Sequence, residues 1–202
     1  MRSRGLTVEI LRGTLAAPMT RDTFCSHCGV RFADATTYPR TCTACGAQSW
    51  ANPIPVAVVL LPVTVGARTG LLVVRRAIPP VGRLSLVGGF VEDHESWQMC
   101  ATRELHEEAG VVIDPTALQP LWYASSAPRP DRVVLFSLAP AVDASALPPF
   151  MPNAEASERG IYFGAPEGGG TGDDELGFPL DVEAARRYFV HMGCSGGGFV
   201  PR

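Results

Sequence analysis

The sequence predicts an α/β fold preceded by a small cysteine-bearing module. Three observations predict it: two tight cysteine pairs before residue 50, a series of short Val-, Ile- and Leu-rich runs after it, and one amphipathic segment free of Gly and Pro among those runs. A length of 202 residues allows one to two domains, and 46% hydrophobic against 18% charged residues is enough for one real core and unlike a disordered chain. The 17 basic residues are all arginine, and against 20 acidic residues they leave a formal net charge of −3. That balance disfavours a binder of nucleic acid by bulk positive charge, and the absence of lysine excludes a Schiff-base or P-loop lysine. The longest apolar stretch, Ile54 to Val65, is interrupted by Pro55 and Pro62 and falls short of the roughly 20 residues of a membrane-spanning helix. Residues 1–20 carry Arg2, Arg4 and Arg12 without the continuous apolar core of a secretory signal, so a cytoplasmic location is expected. The expected organisation is an N-terminal arm over 1–20, a cysteine module over 21–50 and a larger domain over 51–202.

Cys25, Cys28, Cys42 and Cys45 form CxxC, a thirteen-residue gap, and CxxC, which is zinc-ribbon spacing. Each CxxC lets a tight turn offer two thiolates to one cation, and Gly29 and Gly46 supply the positive φ such a turn needs. Four sulfurs around Zn2+ close a structural site, whereas disulfides or redox-active turns are the competing uses of the same pairs. About 30 residues cannot build a sufficient core alone, so the metal would hold this module folded. His27 sits inside the first turn as a bystander.

Pro53 to Pro62 reads as a buried strand bounded by prolines, turning through Gly66 to Gly70 into a second strand at Leu71 to Arg75. Leu84 to Val87 is a short strand ended by Gly88 and Gly89. From Glu95 to Ala109, Trp97, Cys100, Ala101, Leu105 and Ala109 recur at helical spacing, and Gly110 stands where a C′ glycine closes a helix. Strands are expected at Leu118 to Ala124, Arg132 to Ala139 and Gly160 to Phe163, with a final helix at Asp181 to Phe189. Ala139 to Asn153 and Gly164 to Gly177 are expected to be mobile loops.

The polar face of the central helix carries the chemistry. Glu104, Glu107 and Glu108 stand at i, i+3 and i+4, so three carboxylates stack on one side of about one turn. Their mutual repulsion is removed by a hard divalent cation, Mg2+ or Mn2+, and Arg103 beside them can pair with a carboxylate; the bland alternative is a solvated acidic face. The surrounding string decides between these. Gly89, Glu95, Arg103, Glu104, Leu105, Glu107, Glu108, Gly110 and Val111 match every specified position of Gx5Ex7REUxEExGU, with U apolar. In this the chain resembles a Nudix hydrolase.

The resemblance implies an α/β/α sandwich with a mixed sheet, behind the zinc ribbon, and hydrolysis of a diphosphate joining a nucleoside to another group. It also implies that Glu104 and Glu108 are the principal metal carboxylates, that Glu107 is a further ligand, that Arg103 orients them, that Glu95 supports the network, and that Gly89 lets backbone approach metal or phosphate. Little covalent chemistry is asked of the protein, and Cys100 lies on the apolar face as core. Glu155 and Glu158 resemble the outside-box glutamate of the NADH pyrophosphatase branch, Glu155 first and Glu158 second, against a reading of both as surface charges. A ribbon ahead of the box, with Tyr38-Pro39-Arg40 before the second CxxC, is similar to the same branch, which also removes NAD caps from RNA. That branch carries SQPWPFPxS where this chain has Ser125-Ser126-Ala127-Pro128-Arg129-Pro130-Asp131, so its stacking aromatics are absent and Trp122 or Tyr123 would have to serve. The implied substrates are dinucleotides such as NADH, ADP-ribose-like nucleotide sugars, and NAD-capped RNA. Two other classes stay open: a nucleotide-sensing regulator that reads nucleic acid with the ribbon, and a sanitiser of nucleoside triphosphates. A homodimer formed through the ribbon is compatible with catalysis.

Overall fold

The computed structural model describes residues 23–34, 37–128, 130–164, 176–192 and 198–202. The expected arm over 1–20, and Cys194, lie outside them, as does most of the expected Gly164 to Gly177 loop. Contacts divide the chain into two compact units, Met1–Asn52 and Pro53–Arg202.

In the first unit, strands β1 (Arg40–Thr41) and β2 (Gln48–Ser49) pair antiparallel as a small ribbon. Its two CxxC turns are built alike: Gly29 N–H donates to Cys25 O and Gly46 N–H to Cys42 O, both at 2.8 Å, with φ of 74° and 73°. Apolar filling is scant, and the buried Arg40 guanidinium lies over the Tyr38 ring at 3.8 Å and faces Phe32 at 5.3 Å.

The second unit is built on two sheets. Strands β3 (Ile54–Leu60), β4 (Pro62–Val65), β5 (Arg68–Arg76), β6 (Leu84–Ser85) and β7 (Val87–Phe90) precede helix α1 (Trp97–Ala109). Strands β8 (Gln119–Ser125), β9 (Arg132–Leu138), β10 (Val142–Asp143) and β11 (Ala156–Tyr162) follow, then helix α2 (Pro179–Met192) and strand β12 (Phe199–Pro201). One sheet runs β7-β3-β9-β8, and the other β10-β4-β5-β11-β12 with β6 also on β5. Both are mixed, because β3 is parallel to β9 and β10 to β4 while the other pairs are antiparallel.

The strands are apolar on both faces because both are covered. Ala57, Val59, Leu72 and Val74 pack in one cluster with Cys100, Ala101 and Leu105 of α1. Val58, Leu60, Leu71 and Val73 pack in another with Ala184, Ala185 and Tyr188 of α2. The helices therefore flank the strand layer as an α/β/α sandwich.

Four expectations are corrected. Leu84 to Val87 is not one strand ended by Gly88 and Gly89: β6 ends at Ser85 on β5, and both glycines lie inside β7, which pairs with β3 in the other sheet. The run from Pro53 to Pro62 is not one strand of a hairpin: β3 ends at Leu60, β4 begins at Pro62 in the other sheet, and the hairpin is β4 with β5. Nothing polar marks the break, because residues on either side of it are equally buried. Ala139 to Asn153 is not a bare loop, since it contains β10 and a 3-10 turn at Ala144–Ala146, with Val142, Ala144, Leu147 and Phe150 packed on the α1-side core. The strand expected from Gly160 begins at Ala156, and β12 pairs with it unforeseen.

Candidate metal and phosphate site

Helix α1 presents the carboxylates. Its N-cap Ser96 accepts from Met99 N–H at 3.2 Å, and Gly110, at φ 72°, ends it by donating to His106 O at 2.9 Å. Glu104 and Glu108 turn inward and are buried, while Glu107 stays exposed, so the three glutamates do not share one environment. Arg103 ties the group together. Its Nε and Nη2 donate to the two Glu95 oxygens at 2.9 and 3.1 Å, and its Nη1 donates to Glu104 Oε1 at 2.8 Å and Glu107 Oε2 at 3.1 Å. Its Nη2 also donates to Phe90 O at 3.2 Å. The Arg103 hydrogen bonds hold the Glu95 carboxyl below its ordinary range.

Burial dominates for the inner pair. Desolvation pushes Glu104 up despite Arg103, and pushes Glu108 up to about 8, with the charges of Glu104 and Glu155 adding to the effect. Glu108 Oε2 is buried without a hydrogen-bond partner. An orphaned carboxylate oxygen among further carboxylates is the donor chemistry of a hard divalent cation. Gly89 makes room for Glu104, since a Cβ there would overlap its carboxylate, whereas one on Gly88 would overlap Ala57 O of the paired strand. The side chain missing at Gly89 thus admits Glu104 to the strand backbone.

Glu155 and Glu158 separate. The charge of Glu155 adds to the upward push on both Glu104 and Glu108. Glu158 accepts from Arg75 Nε at 2.7 Å across the β5–β11 pair. Sequence reasoning missed what sets Glu155. Asn153 Nδ2 donates to Glu107 O at 2.9 Å and Glu108 O at 3.4 Å, while its Oδ1 accepts from the N–H groups of Glu155 and Ala156 at 2.9 and 2.8 Å. The buried Arg159 donates to Ala109 O and Pro148 O, both at 2.7 Å, capping the α1 C-terminus. No spacing pattern announces either residue. Cys100 is core as expected, its thiol pushed up to about 12 by burial.

In the first unit, Cys25, Cys28, Cys42 and Cys45 bring their sulfurs within 4.8 Å of one another, and His27 is exposed outside the set. The thiols are free, with Sγ–Sγ separations of 3.9 Å for Cys25–Cys45 and 3.6 Å for Cys28–Cys42. Two sulfurs on a tetrahedral zinc at its usual bond length stand about 3.8 Å apart, and these two separations match it. Backbone N–H groups of Cys45 and Ala44 pull the Cys42 thiol down, toward the thiolate a metal needs, while the neighbouring Cys28 thiol moves the opposite way. Among the described residues no cluster of three or more carboxylates is drawn together this tightly. A looser array suits a cation that keeps some of its waters.

A strand layer flanked by two helices, with a glutamate-lined helix set against a strand that holds two glycines, defines a Nudix-type domain, here accompanied by a four-cysteine ribbon. The family model described as the NUDIX domain matches residues 53–163, over half of the chain, and the chain belongs to that family. It is 38% identical over 96 residues to the NAD-capped RNA hydrolase NudC of Stutzerimonas stutzeri (strain A1501), covering 46% of this chain and 32% of that protein. It is 37% identical over 92 residues to NudC of Pseudomonas aeruginosa (strain LESB58), covering 45% and 31%. The match thus spans about a third of these relatives' length. Among solved structures, a NUDIX hydrolase from Nitrosomonas europaea shares the fold with a TM-score of 0.58 at 24% identity, covering 86% of this chain and 95% of that one. The NUDIX domain of Shewanella oneidensis NrtR, complexed with ADP ribose, does so with a TM-score of 0.54 at 16% identity, covering 69% and 88%. Among the described residues no helix is long and apolar enough to cross a membrane.

Proposed function

We propose that this chain is a divalent-cation-dependent pyrophosphohydrolase acting on a nucleoside diphosphate joined to a second moiety, a dinucleotide such as NADH or an ADP-ribose-like nucleotide sugar. The observation that carries the reading is Glu108, whose buried Oε2 has no partner and whose carboxyl is pushed up to about 8 by burial and the charges of Glu104 and Glu155. Glu104, Glu108 and Glu155, with Glu107 from the solvent side, would hold Mg2+ or Mn2+. When bound, such a cation screens the diphosphate charge and lowers the pKa of a coordinated water. The chain's own residues set the geometry: Glu95 fixes Arg103, Arg103 fixes the rotamers of Glu104 and Glu107, and Gly89 leaves Glu104 its place. Cys25, Cys28, Cys42 and Cys45 hold a structural Zn2+, and their free thiols suit the reducing cytoplasm.

The name of the NudC relatives supports NAD-type dinucleotides and NAD-capped RNA as the first substrates to try. The test is a panel of NADH, NAD, ADP-ribose, FAD, coenzyme A, dinucleoside polyphosphates, nucleoside triphosphates and NAD-capped RNA, with product masses locating the broken bond. Turnover of a diphosphate-linked substrate is expected, abolished in Glu108→Gln with the fold and zinc content retained. Wild-type activity in that variant would sink the assignment, and inactivity on the whole panel would favour the sensor reading.

A further inference from the structure

We propose that the ring of Tyr123 is the platform on which the planar base of the substrate stacks, an inference that rests on the hydrolase reading above. Residues opposite one another in a sheet point to the same face. The register across the four-stranded sheet sets Gly89 opposite Ala57, Ala57 opposite Leu135, and Leu135 opposite Tyr123. This row lies on the α1 face, because the side chain missing at Gly89 would run into Glu104 and Ala57 belongs to the α1-side core. It begins at the carboxylates and ends, three strand spacings or about 14 Å away, at Tyr123. An extended nucleoside diphosphate covers such a span.

Cover thins along the row. Ala57 is buried, Leu135 is half-buried, and Tyr123 is 73% exposed. Among the described residues its ring makes no aromatic contact and its hydroxyl no hydrogen bond. The neighbouring Trp122 cannot take the same part. It points to the other face, stacks on Phe136 with centroids 5.2 Å apart at 18°, and is covered by the Arg187 guanidinium of α2 at 4.3 Å. Ser125 to Asp131 contains no aromatic residue. Along this row from the carboxylates, Tyr123 is thus the aromatic surface among the described residues that a base could meet. Stacking tolerates any planar heteroaromatic ring, so adenine and nicotinamide are the two sources to distinguish.

The experiment titrates AMP, nicotinamide mononucleotide and ribose 5-phosphate into the full chain with Mg2+, by calorimetry, for wild type, Tyr123→Ala and Tyr123→Phe. Tyr123→Ala is expected to weaken AMP or the nicotinamide nucleotide roughly tenfold, within the range for loss of a base-aromatic stack. Tyr123→Phe restores it, and ribose 5-phosphate, which has no base, binds all three alike. Whichever nucleotide loses affinity names the ring. If adenine is the ring, the same alanine variant raises the KM for ADP-ribose with kcat little changed; if nicotinamide is, it raises the KM for NADH and not that for ADP-ribose. Four results overturn the proposal: no detectable binding of either nucleotide to wild type, unchanged binding in Tyr123→Ala, equal loss of ribose 5-phosphate, or a changed oligomeric state of Tyr123→Ala by gel filtration with light scattering, which would mark this face as an interface between copies. Binding needs no turnover, so failure of the hydrolase reading shows separately, as activity retained in Glu108→Gln.

Discussion

At Gly89 any Cβ would overlap the Glu104 carboxylate, whereas the backbone there is ordinary strand. Gly89→Ala is therefore expected to displace Glu104 and cut kcat at least tenfold while the melting temperature moves by only a few degrees. Parallel kinetics and thermal unfolding check this; unchanged kcat would refute it. Asn153 acts differently. Its four side-chain hydrogen bonds join the last turn of α1 to the backbone of Glu155 and Ala156. Asn153→Ala should raise the Mg2+ concentration for half-maximal activity several-fold and recover most of kcat at saturating Mg2+. A magnesium titration of initial rates reads the difference. The box glutamates and Arg103 were legible because helical spacing alone stacks them. Asn153 and Arg159 were not, since each matters through backbone partners brought near only by the fold, Arg159 reaching Ala109 from 50 positions away.

Helix α1 was legible to within two residues because its cap, its apolar spacing and its closing glycine agree. Strand β11 was half hidden, for Glu158 and Arg159 look like loop residues until Arg75 and the α1 C-terminus supply their partners. Helix α2 carries the clearest electrostatic consequence. Asp181 in its first turn is buried, and desolvation pushes its carboxyl up to about 7, against the opposing pull of the Leu86 N–H it accepts at 3.0 Å and of Arg76. In the unfolded chain it titrates near 4, so between about pH 4 and pH 7 the folded state binds more protons and stability falls as pH rises. The full effect is on the order of 4 kcal/mol. Asp181→Asn keeps an acceptor for Leu86 and removes the charge. Its melting temperature should exceed that of wild type at pH 8 and converge with it near pH 4; a constant difference would contradict the linkage.

Over the whole molecule, the two units differ in what holds them. The second has helices packed on both faces of its strands, and the first depends on four sulfurs and a buried arginine between rings. Mercurial titration of the cysteines should release one zinc per chain and abolish the protection of the amides of Gly29 and Gly46. The far-UV spectrum and melting transition of the second unit should persist, as circular dichroism and zinc analysis can show. Loss of both transitions together would mean that the units stabilise each other. In the second unit the chain passes between sheets within one step: Leu60 O accepts from Ala139 N–H and Leu61 O from Leu72 N–H, both at 2.9 Å. Neither sheet can open there without dragging the peptide that terminates the other. Native-state hydrogen exchange at Ala139 and Leu72 should accordingly report one shared opening event, and an inserted residue at this joint would interchange the α1-facing and α2-facing side chains on one side of it.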